Sequence, residues 1–262
     1  MIKRLIEKRR QLKAKLRSRK KVFAGWTSFG HPSLTEIIAA AGVECIGIDL
    51  EHSTISQEQN QRIIAAAQGM GVLALPRIAS HNREMVKRVL DSGADGIIVP
   101  LISNKAQAQE ILSWGLYPPT GIRNFGVARA QGYGFDYGTY TKNWNKNFIY
   151  IVQIETKEGV ENIDDILSVG GIDGVMVGPY DLSGSYGVPG QLDHTLVRKA
   201  CATIITACKK AGKSCGTQIV DPDNANVTRA FKDGFTFMVL SSDLFALWKW
   251  GERMRRIIGK GV

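Results

Sequence analysis

Glu155 and Asp181 are the residues best placed to do chemistry together. Each follows a short apolar, β-branched run, at 150–154 and 174–177, and Val160, Ile163, Ile166 and Leu167 recur at helical spacing between them. A strand, a helix and a parallel strand make a right-handed crossover unit, so whatever follows the two strands emerges on one rim. Two carboxylates on one rim are a seat for a hard divalent cation, which prefers oxygen ligands. The competing reading is local: each carboxylate serves only to cap the helix that follows.

Other strand ends add to the set. A run at 45–48 ends in Asp49, Leu50, Glu51 and His52, and a run at 72–76 ends in Arg77. Gln153 stands one alternation before Glu155, and Thr217, Ser241 and Ser242 end the last two strands. His52 titrates in the range a general base needs, and Arg77 is a fixed cationic donor. Singly they have ordinary explanations, a loop histidine or an arginine paired with Glu51 or Asp91. Together they suit a metal-dependent enzyme acting on a carboxylate-bearing substrate. Lys157 falls in the first turn of the helix after Glu155, which disfavours Schiff-base chemistry.

These residues need a scaffold that brings strand ends together. Strands are expected near 22–26, 45–48, 72–76, 96–99, 150–154, 174–177, 214–219 and 235–240, with helices between them and a last amphipathic helix at 244–258. Residues 117–147, rich in Gly, Tyr and Asn, are expected to be irregular. About eight strands alternating with about eight helices is the period of an α/β protein of the (β/α)8 TIM-barrel type, whose catalytic groups sit at the C-terminal strand ends. A doubly wound sheet fits less well, because no Gly-rich phosphate loop follows the first strand. The glycines of GIRNFG, 121–126, follow a helix and lack dinucleotide spacing.

The chain of 262 residues, 44% hydrophobic, is long enough for one such barrel. No apolar run approaches the roughly 18 residues of a membrane span, and no signal-peptide core follows Met1. Cys45, Cys201, Cys208 and Cys215 lack metal-site spacing. They read as small buried hydrophobes of a reducing compartment, so a cytoplasmic location is expected. The net charge of +10 is confined to residues 1–21, where eleven Lys or Arg meet one acid, Glu7; the remainder is balanced. Ile2, Leu5, Ile6, Leu12 and Leu16 share one helical face of that segment. The expected organisation is therefore a basic amphipathic helix, 1–21, and a single catalytic barrel, 22–262. The helix either attaches to an anionic membrane surface or nucleic acid, or packs its stripe on the barrel or a neighbouring subunit. Without Trp or Phe in it, packing is preferred, membrane contact is the lesser reading and no nucleic-acid partner is expected.

Several motifs also resemble a known family. Asp49-Leu50-Glu51-His52, Pro76-Arg77, Leu90-Asp91-Ser92-Gly93-Ala94, Tyr117-Pro118-Pro119-Thr120-Gly121-Ile122-Arg123, Gln153-Ile154-Glu155-Thr156 and Gly178-Pro179-Tyr180-Asp181-Leu182-Ser183 resemble the HpcH/HpaI-type class II pyruvate aldolases. Those include the 4-hydroxy-2-oxoheptanedioate and 2-dehydro-3-deoxyglucarate aldolases. The resemblance runs in order from about residue 22 to 247. It implies a barrel of the pyruvate/phosphoenolpyruvate-binding type, with Mg²⁺, Mn²⁺ or Co²⁺ held by Glu155 and Asp181. It further implies that His52 is the acid/base, aided by Asp49 and Asp91, that Arg77 holds the oxo group, and that Gln153, Tyr180 and Ser241 contact substrate. The substrates implied are a small oxo acid and an aldehyde. The assembly implied is a homo-oligomer, a hexamer or trimer of dimers, that exchanges its last helix. Two departures concern the aldehyde half: Tyr180 stands where the family commonly has a small residue, and residues 125–140, with Arg129, Tyr133, Phe135 and Tyr137, differ from the diacid aldolases.

The leading expectation is a metal-dependent aldolase cleaving a 4-hydroxy-2-oxo acid to pyruvate and an aldehyde. A citrate-lyase-like CoA-ester lyase is the runner-up, and His52 favours the aldolase. A non-catalytic barrel binding partners through residues 1–21 is the alternative of another kind.

Overall fold

The computed structural model describes residues 2–259; Met1 and residues 260–262, the outer ends of the two expected segments, lie outside the described residues. Eight strands, β1 (Val22–Thr27), β2 (Cys45–Asp49), β3 (Leu73–Arg77), β4 (Gly96–Val99), β5 (Ile149–Ile154), β6 (Gly174–Val177), β7 (Ser214–Ile219) and β8 (Phe237–Leu240), close into a parallel barrel in sequence order. Because side chains alternate along a strand, each strand feeds two cores. Ile46, Ile48, Ala74, Ile97, Val152 and Val175 face the surrounding helices. Val22, Ala24, Trp26, Leu73, Leu75, Ile149, Ile151, Met176, Phe237 and Val239 fill the interior. The inward positions next along the chain are Asp49, Arg77 and Gln153. That alternation turns the site residues into the mouth.

The basic segment forms a helix, Ile2–Arg17, that stoppers the opposite end. Its Leu5, Leu12 and Leu16 join the interior cluster. Its cations meet the segments that lead into the strands. Arg9 pairs with Asp95 at 3.3 Å, and Lys13 and Arg17 each reach Asp173 at 2.7 Å. Lys15 pairs with Glu44, and Arg19 donates to the carbonyls of Lys213 and Gly234. The helix therefore packs its stripe on its own barrel.

One expected irregular passage is partly ordered. Tyr137–Asn147 is a helix, preceded by a short 3₁₀ turn at Arg129–Gly134. Gly138, Thr139 and three Asn give it poor intrinsic propensity. Its stability comes from packing instead: Tyr140 and Trp144 are buried, and Trp144 Nε1 donates to the Gly115 carbonyl at 2.7 Å. The helix expected between β5 and β6 is broken into two, Lys157–Glu161 and Ile163–Leu167.

Candidate active site

Arg77 is the fixed centre of the mouth. Its Nε and Nη2 donate to Asp49 at 2.8–3.2 Å. Its Nη1 lies 3.1 Å from Glu51 Oε2, an ion-pair contact that does not make a hydrogen bond. The register pairs Asp49 directly with Arg77 on the neighbouring strand, which explains the contact. The expected alternative partner, Asp91, is elsewhere.

On β5, Gln153 Nε2 donates to Glu155 Oε2, while Gln153 Oε1 is buried without a partner. Glu155 Oε1 accepts from the Leu101 backbone N–H at 2.7 Å. Leu101 is in the left-handed region, φ 56°, a conformation costly for a non-glycine residue and frequent at functional sites. Burial pushes the Glu155 carboxyl up to about 7, with Asp181 and Glu51 adding repulsion against the hydrogen bonds from Gln153 and Leu101. Burial also raises Glu51, opposed first by Arg77. Four carboxylates, Asp49, Glu51, Glu155 and Asp181, thus lie close enough to act on one another, and Arg77 pairs with the first two. Gly178 leaves the cradle open: a Cβ there would lie 2.7 Å from Glu155 Oε2 and 3.4 Å from Gln153 Nε2. Surplus negative charge, an orphaned amide oxygen and a bare glycine fit a hard divalent cation better than they fit each other. Glu155 and Asp181 are the carboxylates that would hold it on that side.

A cavity of about 820 Å³ opens above them, lined by Arg77, Gln153, Gly178, Tyr180 and Asp181 on the inside and by Gln218, Asp221, Trp248 and Lys249 further out. The outer residues carried no signal in the sequence; only the position of the last helix, Asp243–Gly259, reveals them. The exposed ring of Tyr180 forms a wall of the cavity rather than filling it.

Other candidates are placed differently. The His52 side chain is 68% exposed, with Glu51 Oε2 3.8 Å from its Nε2. Asp49 accepts from the backbone N–H of His52 at 3.0 Å and so shapes the turn without touching the ring. Asp91 ends the helix Arg83–Asp91, which returns the chain to the floor, and pairs with Arg123 at 3.0 Å. It does not meet His52 within the chain. Residues 125–136 are also at the floor side, tied there by Arg129, which donates to Ser92 O and Gln68 Oε1. Ser241, at φ 61°, turns its hydroxyl to the Val220 carbonyl and borders a second, apolar cavity instead. Thr217 donates to Val177 O, and Ser242 caps Phe245. Lys157 is exposed and pairs loosely with Glu161.

A TIM barrel whose strand ends hold a clamped arginine beside carboxylates suits an enzyme that acts on a small anionic substrate at that rim. The family model "HpcH/HpaI aldolase/citrate lyase" matches residues 23–249, and the chain belongs to that family. A 5-keto-4-deoxy-D-glucarate aldolase of Escherichia coli O139:H28 is 32% identical over 235 residues, 89% of this chain and 91% of that one. An HpcH/HpaI aldolase/citrate lyase family protein from Burkholderia cenocepacia J2315 superposes with a TM-score of 0.88 at 27% identity, covering 95% and 98% of the two chains. An HpcH/HpaI aldolase from Desulfitobacterium hafniense DCB-2 gives 0.86 at 28%, covering 96% and 97%. The chain is a class II aldolase, a carbon–carbon lyase.

Proposed function

We propose that the enzyme cleaves a 4-hydroxy-2-oxo acid reversibly to pyruvate and an aldehyde at the mouth around Arg77. His52 takes the proton of the C4 hydroxyl, the C3–C4 bond breaks, and the electron pair passes to the C2 oxygen. Protonation at C3 then gives pyruvate. Arg77, immobilised by Asp49 and Glu51, keeps its Nη1 N–H groups for the C2 oxygen and so stabilises charge that develops only in the transition state. Gln153 orients the oxo-acid end, and the Gly178–Tyr180 backbone approaches it closely. A divalent cation, Mg²⁺, Mn²⁺ or Co²⁺, held by Glu155 and Asp181 would supply Lewis-acid stabilisation at the same oxygen. The single observation that carries this reading is the gathering of carboxylates, the buried Glu155 among them, in one cavity with a guanidinium held by Asp49 and Glu51.

The role proposed for Asp91 requires a second copy of the chain. In its own chain Asp91 is at the floor, so it can assist only the His52 of a neighbouring subunit. The last helix supports assembly: Leu244, Leu247, Trp248, Trp250, Ile257 and Ile258 are exposed on it, beside an apolar cavity of about 520 Å³ lined by Leu34, Ile37 and Ile38. A homo-oligomer, a hexamer or trimer of dimers exchanging that helix, accounts for both.

The test is exchange of the pyruvate methyl protons in D₂O, followed by NMR. Exchange abolished by EDTA and restored by Mn²⁺ is expected; exchange that survives EDTA, or none at all, would sink the proposal. For the shared site, mixed oligomers of His52→Ala and Asp91→Asn subunits should regain activity that neither shows alone.

A further inference from the structure

We infer that Trp26 is a positioning residue for Arg77, acting through the face of its indole ring. The inference rests on the aldolase reading above for its catalytic consequence, but the contact itself does not. Trp26 is the last inward side chain of β1, buried to 2% exposure. In the register it stands beside Gly47, and Gly47 stands beside Leu75, one inward position below Arg77. Arg77 Cζ lies over the ring at 5.0 Å from its centroid, within cation–π range.

The space for the indole is made by the neighbouring strand. A Cβ on Gly47 would lie 2.2 Å from Trp26 Cε3, so the bare glycine is what lets the ring lie flat under the guanidinium. Asp49 and Glu51 hold Arg77 by its edges, but edge contacts leave it free to tilt out of its plane. The ring closes that remaining freedom. Arg77 lines the mouth cavity, while Trp26 is buried beneath it, so the ring is placed to act through the arginine. A guanidinium stacks on an aromatic face and forms forked hydrogen bonds at its edge simultaneously, which an ammonium cannot do.

The experiment is a pair of double-mutant cycles. Trp26→Leu should lower metal-dependent pyruvate exchange about 10- to 30-fold, mainly in kcat, as expected for loss of a desolvated cation–π contact. Trp26→Phe should restore most of it. In the Arg77→Gln background, Trp26→Leu should cost less than about 2-fold, because there is no cation left to position. Equal losses in both backgrounds, or equal losses for Leu and Phe, would overturn the inference. The second cycle measures thermal midpoints of the same proteins without metal or substrate, and the two single losses should exceed that of the double variant. If the unsubstituted enzyme shows no exchange, the aldolase reading fails, and the midpoint cycle decides by itself whether the ring and the guanidinium are coupled. If Trp26→Leu does not fold, Trp26→Phe runs both cycles, with a loss of about 3-fold expected only when Arg77 is present.

Discussion

The two ends of the barrel treat charge in opposite ways. At the floor, a strongly basic helix meets acids and carbonyls until its inward cations are matched: Arg9 with Asp95, Lys13 and Arg17 with Asp173. Asp173 accepts from both cations and from the Tyr150 backbone N–H at 3.0 Å. At the mouth, four carboxylates stand against one arginine, which pairs with Asp49 and Glu51 only, and Glu155 is pushed up to about 7 by burial, with Asp181 and Glu51 adding to the shift. At the floor each inward cation has an acid to pair with, and these pairs hold the fold. The mouth is left unbalanced, which suits the cation and charged substrate proposed for it.

Glu155→Gln should separate the two ends most sharply. Exchange should fall by three orders of magnitude or more (the scale of losing essential electrostatic stabilisation, about 10³-fold), while the metal-free protein at pH 8 melts higher than the unsubstituted enzyme. Calorimetry beside the NMR assay reads both; a lower melting point would show that Glu155 supports the fold after all. Asp173→Ala should do the reverse. It strands Lys13, a buried cation already lowered chiefly by burial, and should cost about 3–5 kcal/mol in urea unfolding. Turnover per folded molecule should be nearly unchanged, and a matching loss of kcat would tie the floor to catalysis.

The smallest effect is one of pH. The raised Glu155 carboxyl favours the protonated folded state, so its contribution is fully present below the unfolded carboxylate value of about 4.3. It is lost as pH rises through about 7. The metal-free protein should therefore melt lower at pH 8 than at pH 6 on this account, and saturating Mn²⁺ should narrow the gap. A gap unaffected by Mn²⁺ would assign the dependence to another group.

Much of the mouth was legible because a barrel converts a linear rule into geometry. Strand runs ending in Asp49, Arg77 and Glu155 must deliver them to one rim, and they do. What periodicity could not show was which partner each would choose. Arg77 was open to Glu51 or Asp91, and it took Asp49 and Glu51, because register brings β2 beside β3 and the return of a helix carries Asp91 away. The Tyr137–Asn147 helix was hidden for a different reason, since its residues are poor helix formers and its order comes from Trp144 and Tyr140 packing. Trp26 was read only as part of a strand, because the glycine that gives it room is on another one.

The stopper at the floor also sets the order in which the molecule can be finished. The helix Ile2–Arg17 leaves the ribosome before the barrel does, yet its seat includes Asp95 and Asp173, and the turn after it needs Lys213 and Gly234. At roughly 5–20 residues per second, about 10–50 s of synthesis separate the segment from its last partner. For that interval Leu5, Leu12 and Leu16 have no barrel to enter, and the lysines and arginines between them keep the waiting segment soluble. Chains arrested before residue 234 should accordingly be cut by trypsin at Arg9 and Lys13, and completed chains should not. A segment made before the barrel is thus among the last to be seated in it.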